Sequence, residues 1–244
     1  MKSLWDSGRA RNAVFLADYA INPLGVKSDA AIADVVGSWL ARAAQVSDTL
    51  IIACNTLSIR YHQLFDPGVP HAGLEYVVSM VDCFTAMVTA EADRLSGKRV
   101  LIIGTAFTAS QNIYGDILGE LASDVRVSTV PATELERKIA RFEPLGGRAD
   151  SSFTRELRQA LEDADIAVLA CTCFPMVQAE LEALFPDILF LDPGAYCASL
   201  VPENDVGDGN RLLIEISGQE VTEGRVIEYA RAYLGVGSVD SFRS

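Results

Sequence analysis

The chain has 244 residues, half of them apolar, with five cysteines, two histidines and a formal charge of -13 from 33 acidic and 20 basic side chains. That apolar share can bury a sizeable core, in one large domain or two smaller ones, which excludes a disordered chain. The acidic excess repels phosphate backbones and anionic lipid, which excludes nucleic acid as a direct partner.

No run reaches the roughly 18 consecutive apolar residues of a membrane helix, and residues 1–8 lack a basic start followed by an apolar stretch. An odd number of cysteines without small-scaffold spacing fits free thiols in a reducing compartment. The expectation is a cytoplasmic protein with no membrane partner.

In chain order, the apolar run 13–17 predicts a first strand, ended by Asp18. Ser28 is placed to cap a helix over 28–45, with Ala31, Ile32, Val35 and Leu40 on its buried side. Residues 49–53 predict the next strand and 79–94 a further helix. Ser96-Gly97-Lys98 then separates this stretch from strands at 100–103, 125–130, 166–170 and 188–191, with helices over 152–162 and 222–233. Short apolar runs alternating with helical patterns predict parallel strands covered on both faces by helices. The expected fold is α/β, two similar lobes with mainly parallel sheets and an active-site cleft between them. Residues 1–96 plus about 211–244 are assigned to the first lobe and 97–210 to the second, with the later boundary inside 202–210.

Two stretches echo each other. Residues 47–65 run strand, Ala53-Cys54-Asn55-Thr56, helix, Leu64-Phe65. Residues 164–185 run strand, Ala170-Cys171-Thr172-Cys173, helix, Leu184-Phe185, three residues longer. In an open α/β sheet, ligands bind beyond the carboxyl ends of the strands, where Cys54 and Cys171 both fall. A helix N-terminus there favours a thiolate and binds a carboxylate, and Asn55, Thr56 and Thr172 add hydrogen-bonding groups. A buried, inert cysteine is the plain alternative for either residue alone; two in matching places favour function. Two thiols on opposite sides of a carbon centre suit racemisation or epimerisation, one removing a proton and the other delivering one, once each thiol's pKa falls by about a unit from about 8.5.

Other groups carry less. His62 reads as a helix-surface residue, and neither it nor His71 has metal-ligand spacing. Cys83 and Cys197 lie in helical patterns and are assigned to the core. Cys-x-Cys at 171 and 173 is a poor metal signal taken alone. Gly104-Thr105 lacks the spaced glycines of a dinucleotide loop. Tyr114 reads as a core tyrosine, the charges over 134–141 as a solvated helical face, and Asp18 either faces the cleft or is a turn residue.

The segments Ala17-Asp18-Tyr19-Ala20, Asn22-Pro23-Leu24-Gly25-Val26-Lys27-Ser28, Ala53-Cys54-Asn55-Thr56, Gly104-Thr105 through Tyr114, Cys171-Thr172-Cys173-Phe174-Pro175 and Leu191-Asp192-Pro193-Gly194-Ala195 occur in the order found in glutamate racemases. Along most of its length the chain resembles that cofactor-independent aspartate/glutamate racemase family, and Ser217-Gly218 ahead of a helix agrees. The resemblance implies no cofactor and no metal, a small acidic amino acid as substrate (glutamate first, aspartate second), and Cys54 and Cys171 as paired acid/base residues. Pro23, Gly25, Asn55, Thr56, Thr108 and Thr172 would line the substrate site, with Asp18 and Cys173 as auxiliary candidates; a homodimer is expected on base rates and resemblance.

Three departures stand out. The family begins with a strand ending Asp-Ser-Gly, whereas Asp6-Ser7-Gly8 lies twelve residues before Asp18, too near for the usual intervening helix, so the first strand is expected to be missing. Cys173 stands where the family has histidine after Cys-Thr, and Leu24 where it usually has tyrosine. Two other outcomes therefore stay open: a descendant that binds a ligand or partner without turnover, or a cysteine-dependent isomerase or decarboxylase of a small dicarboxylic acid.

Overall fold

The computed structural model describes residues 2–8, 12–18, 21, 24–66, 71, 73–122, 124–141, 143–202, 211–217, 227 and 238–243. The chain divides into two compact units: Met1–Ile51 with Arg60–Val78 and Cys197–Ser244, and Ile52–Ile59 with Ser79–Tyr196.

The first unit opens with a short helix, α1 (Lys2–Asp6). Gly8 N–H donates to the Trp5 carbonyl at 3.1 Å and Ser7 Oγ to the Leu4 carbonyl at 3.0 Å, so Asp6-Ser7-Gly8 closes a helix rather than a strand. Strands β1 (Asn12–Asp18), β8 (Arg211–Ser217) and β9 (Ser238–Arg243) form a parallel sheet with β8 in the middle. Helix α2 (Asp29–Ala43) is capped by the Ser28 hydroxyl, which accepts from Ala31 N–H. Its buried side is Ile32, Val36, Leu40 and Ala43, so Val36 takes the place expected of Val35. The spacing of four, four and three keeps one side of a 3.6-residue turn against the core. Strand β2 (Thr49–Ile52) pairs with β3 (Tyr76–Ser79), a strand not expected from the sequence, whose last residue is the expected start of the next helix. The expected helix over 222–233 and the later lobe boundary fall outside the described residues, apart from a helical Ile227 and the stretch before Glu203.

Helix α3 (Asn55–Leu64) is divided, residues through Ile59 belonging to the second unit. That unit continues with α4 (Met80–Ala90), α5 (Ala92–Leu95), β4 (Arg99–Gly104), α6 (Ala106–Gln111), α7 (Ile113–Leu121), β5 (Arg126–Pro131), α8 (Thr133–Ala140), α9 (Arg155–Asp163), β6 (Ile166–Ala170), α10 (Gln178–Leu184) and β7 (Leu189–Leu191). Its four strands run parallel in the order β5-β4-β6-β7. Strand periodicity divides the core in two. Leu101, Ile103, Ala167 and Leu169 face a cluster with Leu135, Leu157 and Phe174, while Val100, Ile102, Ile166 and Val168 face Phe84, Met87 and Leu118. A strand buried on both faces must be apolar at every position, which explains the unbroken runs in the sequence. Each fully buried Leu, Ile or Val contributes about 1.5–3 kcal/mol.

The connections fix where a ligand can bind. From β4 the chain moves to β5 on one side, then crosses to β6 on the other, so the order reverses between the carboxyl ends of β4 and β6. Gly104-Thr105 and Cys171 leave the sheet at that reversal.

Candidate active site

Cys54 follows β2 and precedes the first turn of α3. Its carbonyl accepts the Ser58 N–H at 2.8 Å, starting the helix, while its thiol faces the N–H groups of Thr56 and Leu57. The Ser58 hydroxyl, fully buried, donates to the Ile52 carbonyl at 3.0 Å and accepts Met80 N–H at 2.9 Å, holding the strand end, α3 and α4 together.

Cys171 ends β6 in a tight turn, Phe174 N–H donating to its carbonyl at 3.0 Å. The chain then forms a 3-10 turn (Phe174–Val177) before α10, so this cysteine does not stand at the start of a regular α-helix as Cys54 does. The Thr172 hydroxyl donates to the Ala53 carbonyl at 3.2 Å, tying the turn after β6 to the turn after β2. Cys173 Sγ is 3.5 Å from Cys171 Sγ, and both thiols are half-buried.

Asn55 and Tyr114 extend the site inward. Tyr114, 2% exposed and stacked on Phe84 at 4.3 Å, donates its hydroxyl to Asn55 Oδ1, so this core tyrosine also positions a polar group. Asn55 is 3% exposed, and its Nδ2 has no acceptor among the described residues. Buried donors are almost always satisfied, so this amide hydrogen is available to an acceptor. Beside it the hydroxyls of Thr56, Thr105 and Thr108 form a chain, with steps of 3.2 and 3.0 Å. Thr105 also caps α6 by accepting Thr108 N–H at 3.1 Å. Gly104 lets this loop approach β6, because a Cβ there would lie 3.0 Å from Thr108 Cγ2 and 3.2 Å from the Ala170 carbonyl.

The electrostatics reverse one expectation. Burial pushes the Cys54 thiol up to about 11, outweighing the Thr56 and Leu57 N–H groups that favour its thiolate; the charges of Cys171 and Glu136 act with burial. Cys171 is raised well above the ordinary thiol range, first by its hydrogen bond to Cys173, then by burial. Both residues are therefore thiols near neutral pH, because low-dielectric surroundings disfavour a lone anion more than one helix end favours it. Glu136, in α8, is half-buried and itself raised by burial. It therefore departs from the solvated face read over 134–141, and its charge is felt at both thiols.

The second unit thus brings together Cys54, Asn55, Thr56, Thr108, Cys171, Thr172 and Cys173 from the sequence reading, and adds Thr105, Tyr114 and Glu136. Gly25 lies in the first unit, in the 3-10 turn Leu24–Val26. Pro23 and the Asp18 side chain fall outside the described residues, although the Asp18 backbone ends β1. Cys83 and Cys197 are buried, His62 is half-buried on α3, and His71 Nε2 shares a 2.7 Å hydrogen bond with the Tyr61 hydroxyl. No helix among the described residues is long and apolar enough to cross a membrane.

A family model described as Asp/Glu/Hydantoin racemase matches residues 13–201. The chain is 31% identical over 202 residues to the glutamate racemase of Pseudomonas paraeruginosa, covering 78% of this chain and 70% of that protein. It is 29% identical over 202 residues to the glutamate racemase of Pseudomonas aeruginosa, with the same coverage. Among solved structures, glutamate racemase from Campylobacter jejuni superposes with a TM-score of 0.71 at 20% identity, covering 97% of this chain and 93% of that one. Escherichia coli glutamate racemase, solved with L-glutamate and an activator, gives 0.71 at 18% identity over 99% and 92%. At these identities the structural likeness establishes the fold.

Proposed function

The chain belongs to the Asp/Glu/hydantoin racemase family, and from that premise we propose that it racemises a small acidic amino acid without a cofactor, glutamate first and aspartate second, with Cys54 and Cys171 exchanging the Cα proton. One thiolate takes the proton from one enantiomer, and the opposing thiol returns one to the other face. The observation that carries this reading is two thiols at strand ends of one unit, with the electrostatic influence of Cys171 reaching Cys54, beside a buried amide donor, Asn55 Nδ2, that lacks an acceptor among the described residues. A substrate carboxylate is an acceptor of the right kind, and the Thr56, Thr105 and Thr108 hydroxyls lie along the same edge.

The raised thiols set the cost of the first step. At pH 8 a thiol titrating near 11 is a thiolate in about one molecule in a thousand, so an incoming ammonium group contributes by stabilising that anion. Each thiolate, once formed, is a stronger base than an ordinary one, which suits removal of a weakly acidic Cα proton.

The experiment is solvent deuterium incorporation at Cα of each enantiomer of glutamate and aspartate, comparing the wild type with Cys54→Ala and Cys171→Ala. Incorporation together with racemised product in the wild type, both lost in either variant, is the expected result. A wild type that neither exchanges nor racemises any of the four overturns the reading and leaves a binding protein or an enzyme for another small acid.

A further inference from the structure

Cys173 has no role in the two-thiol scheme, yet its sulfur lies 3.5 Å from that of Cys171. A disulfide needs a separation of about 2.05 Å, so closure requires about 1.5 Å of approach between side chains one residue apart. Backbone bonds hold the turn that carries them: Phe174 N–H donates to the Cys171 carbonyl at 3.0 Å and Met176 N–H to the Cys173 carbonyl at 3.1 Å. Cys171 and Cys173 are half-buried residues, whereas Cys83 and Cys197 are buried. Metal capture is a poor use for the pair, since among the described residues no group of three or more His, Cys, Asp and Glu side chains is placed to hold an ion.

We propose that Cys171 and Cys173 form a reversible redox site: a small-molecule disulfide oxidises them to a Cys171–Cys173 bridge, which removes the Cys171 thiol from proton transfer until it is reduced. In the first step the thiolate of one cysteine attacks a sulfur of the reagent. One S–S bond breaks, a mixed disulfide forms and one thiolate leaves. In the second, the other cysteine loses its proton and attacks the protein-side sulfur, releasing the second reagent thiolate. Two protein thiols lose two electrons and two protons, and the reagent disulfide becomes two thiols. Because both steps need a thiolate, and Cys171 is held above the ordinary thiol range by its hydrogen bond to Cys173 and by burial, bridge formation accelerates about tenfold per pH unit between pH 7 and 9.

The loss of activity on bridging rests on the racemase reading; the bridge itself does not. The native full chain is equilibrated in mixtures of oxidised and reduced glutathione, quenched with acid, alkylated and mapped by peptide mass spectrometry. The expected product is a peptide carrying Cys171 and Cys173 that is lighter by two hydrogen atoms, restored by dithiothreitol, with Cys54 alkylated throughout and racemisation falling in proportion. Cys173→Ser is expected instead to accumulate a glutathione adduct on Cys171, because the resolving thiol is gone. Alkylation of Cys83 and Cys197 only after denaturation verifies that each sample stayed folded. A persistent adduct in the wild type, or a bridge from Cys54, overturns the proposal. A bridge formed by a protein that racemises none of the acids even when reduced leaves the redox site standing and removes the racemase reading.

Discussion

Replacing Tyr114 by Phe isolates one interaction. The ring keeps its place against Phe84 at 4.3 Å, while the hydroxyl that donates to Asn55 Oδ1 disappears. Asn55 is 3% exposed and its Nδ2 already lacks an acceptor among the described residues, so the variant leaves both ends of a buried amide without their protein partners. Stranding one buried acceptor costs about 1–3 kcal/mol. The removed hydroxyl needs no partner of its own, which offsets part of that, and a net loss of about 2 kcal/mol follows. For a chain of this size that corresponds to a fall in Tm of about 4–8 °C.

Urea unfolding followed by circular dichroism measures it: the midpoint falls while the slope stays constant, because the buried area is unchanged. On the proposed racemase reading the same variant raises KM for the preferred acid more than it lowers kcat, because an Asn55 that holds the carboxylate in both ground and transition states would be loosened. An unfolding free energy within about 0.3 kcal/mol of wild type, or an unchanged KM, refutes the assignment of Tyr114 as the group that positions Asn55.

Two further expectations follow from the same surroundings. Burial holds Cys54 at about 11 against an ordinary value of 9.0, so from pH 9 to 11 the unfolded chain gives up this proton and the folded chain keeps it; Tyr114 and Cys171 are raised in the same sense. Fewer protons on the unfolded state mean that stability, fully present below pH 9, declines as pH rises through this window, and Cys54→Ala flattens the decline of the urea midpoint. A midpoint that is level or rising from pH 9 to 11 contradicts it. Gly104→Ala introduces a Cβ 3.0 Å from Thr108 Cγ2 and 3.2 Å from the Ala170 carbonyl, where the backbone yields less readily than a side chain. Overpacking of this kind costs about 1–3 kcal/mol, and thermal unfolding without loss of stability would show that the loop gives way freely.

The parallel core was legible because β4 and β6 are buried on both faces and therefore spell unbroken apolar runs. Both cysteines were legible because strand ends are visible from the runs they terminate. Strand β3 was not, since Tyr76–Ser79 runs directly into a helix whose cap is its own last residue, Ser79, and a four-residue strand gives little alternation. Val36 took the inward place expected of Val35 because two adjacent valines leave the phase of a helix undecided until packing fixes it. Glu136 was read with its charged neighbours as solvated; its approach to two thiols depends on how α8 packs, which no local pattern encodes. The thiol pKa values ran opposite to the helix-end argument because burial is a tertiary property. Thr105 was hidden by its second role, since a helix-capping threonine explains itself without a ligand.

The turn after β6 is held by backbone bonds, one of them at the Cys173 carbonyl. Its closing bond runs between backbone atoms of Cys171 and Phe174, and Phe174 is fully buried in the core beneath it. The Cys173 side chain adds only its contact with the Cys171 sulfur and its packing on the core to a turn whose backbone bonds do not depend on it. Position 173 is thus a place where one side chain sets the basicity of the neighbouring sulfur, since the contact with Cys173 is the largest influence raising Cys171, while the backbone of the turn is held separately.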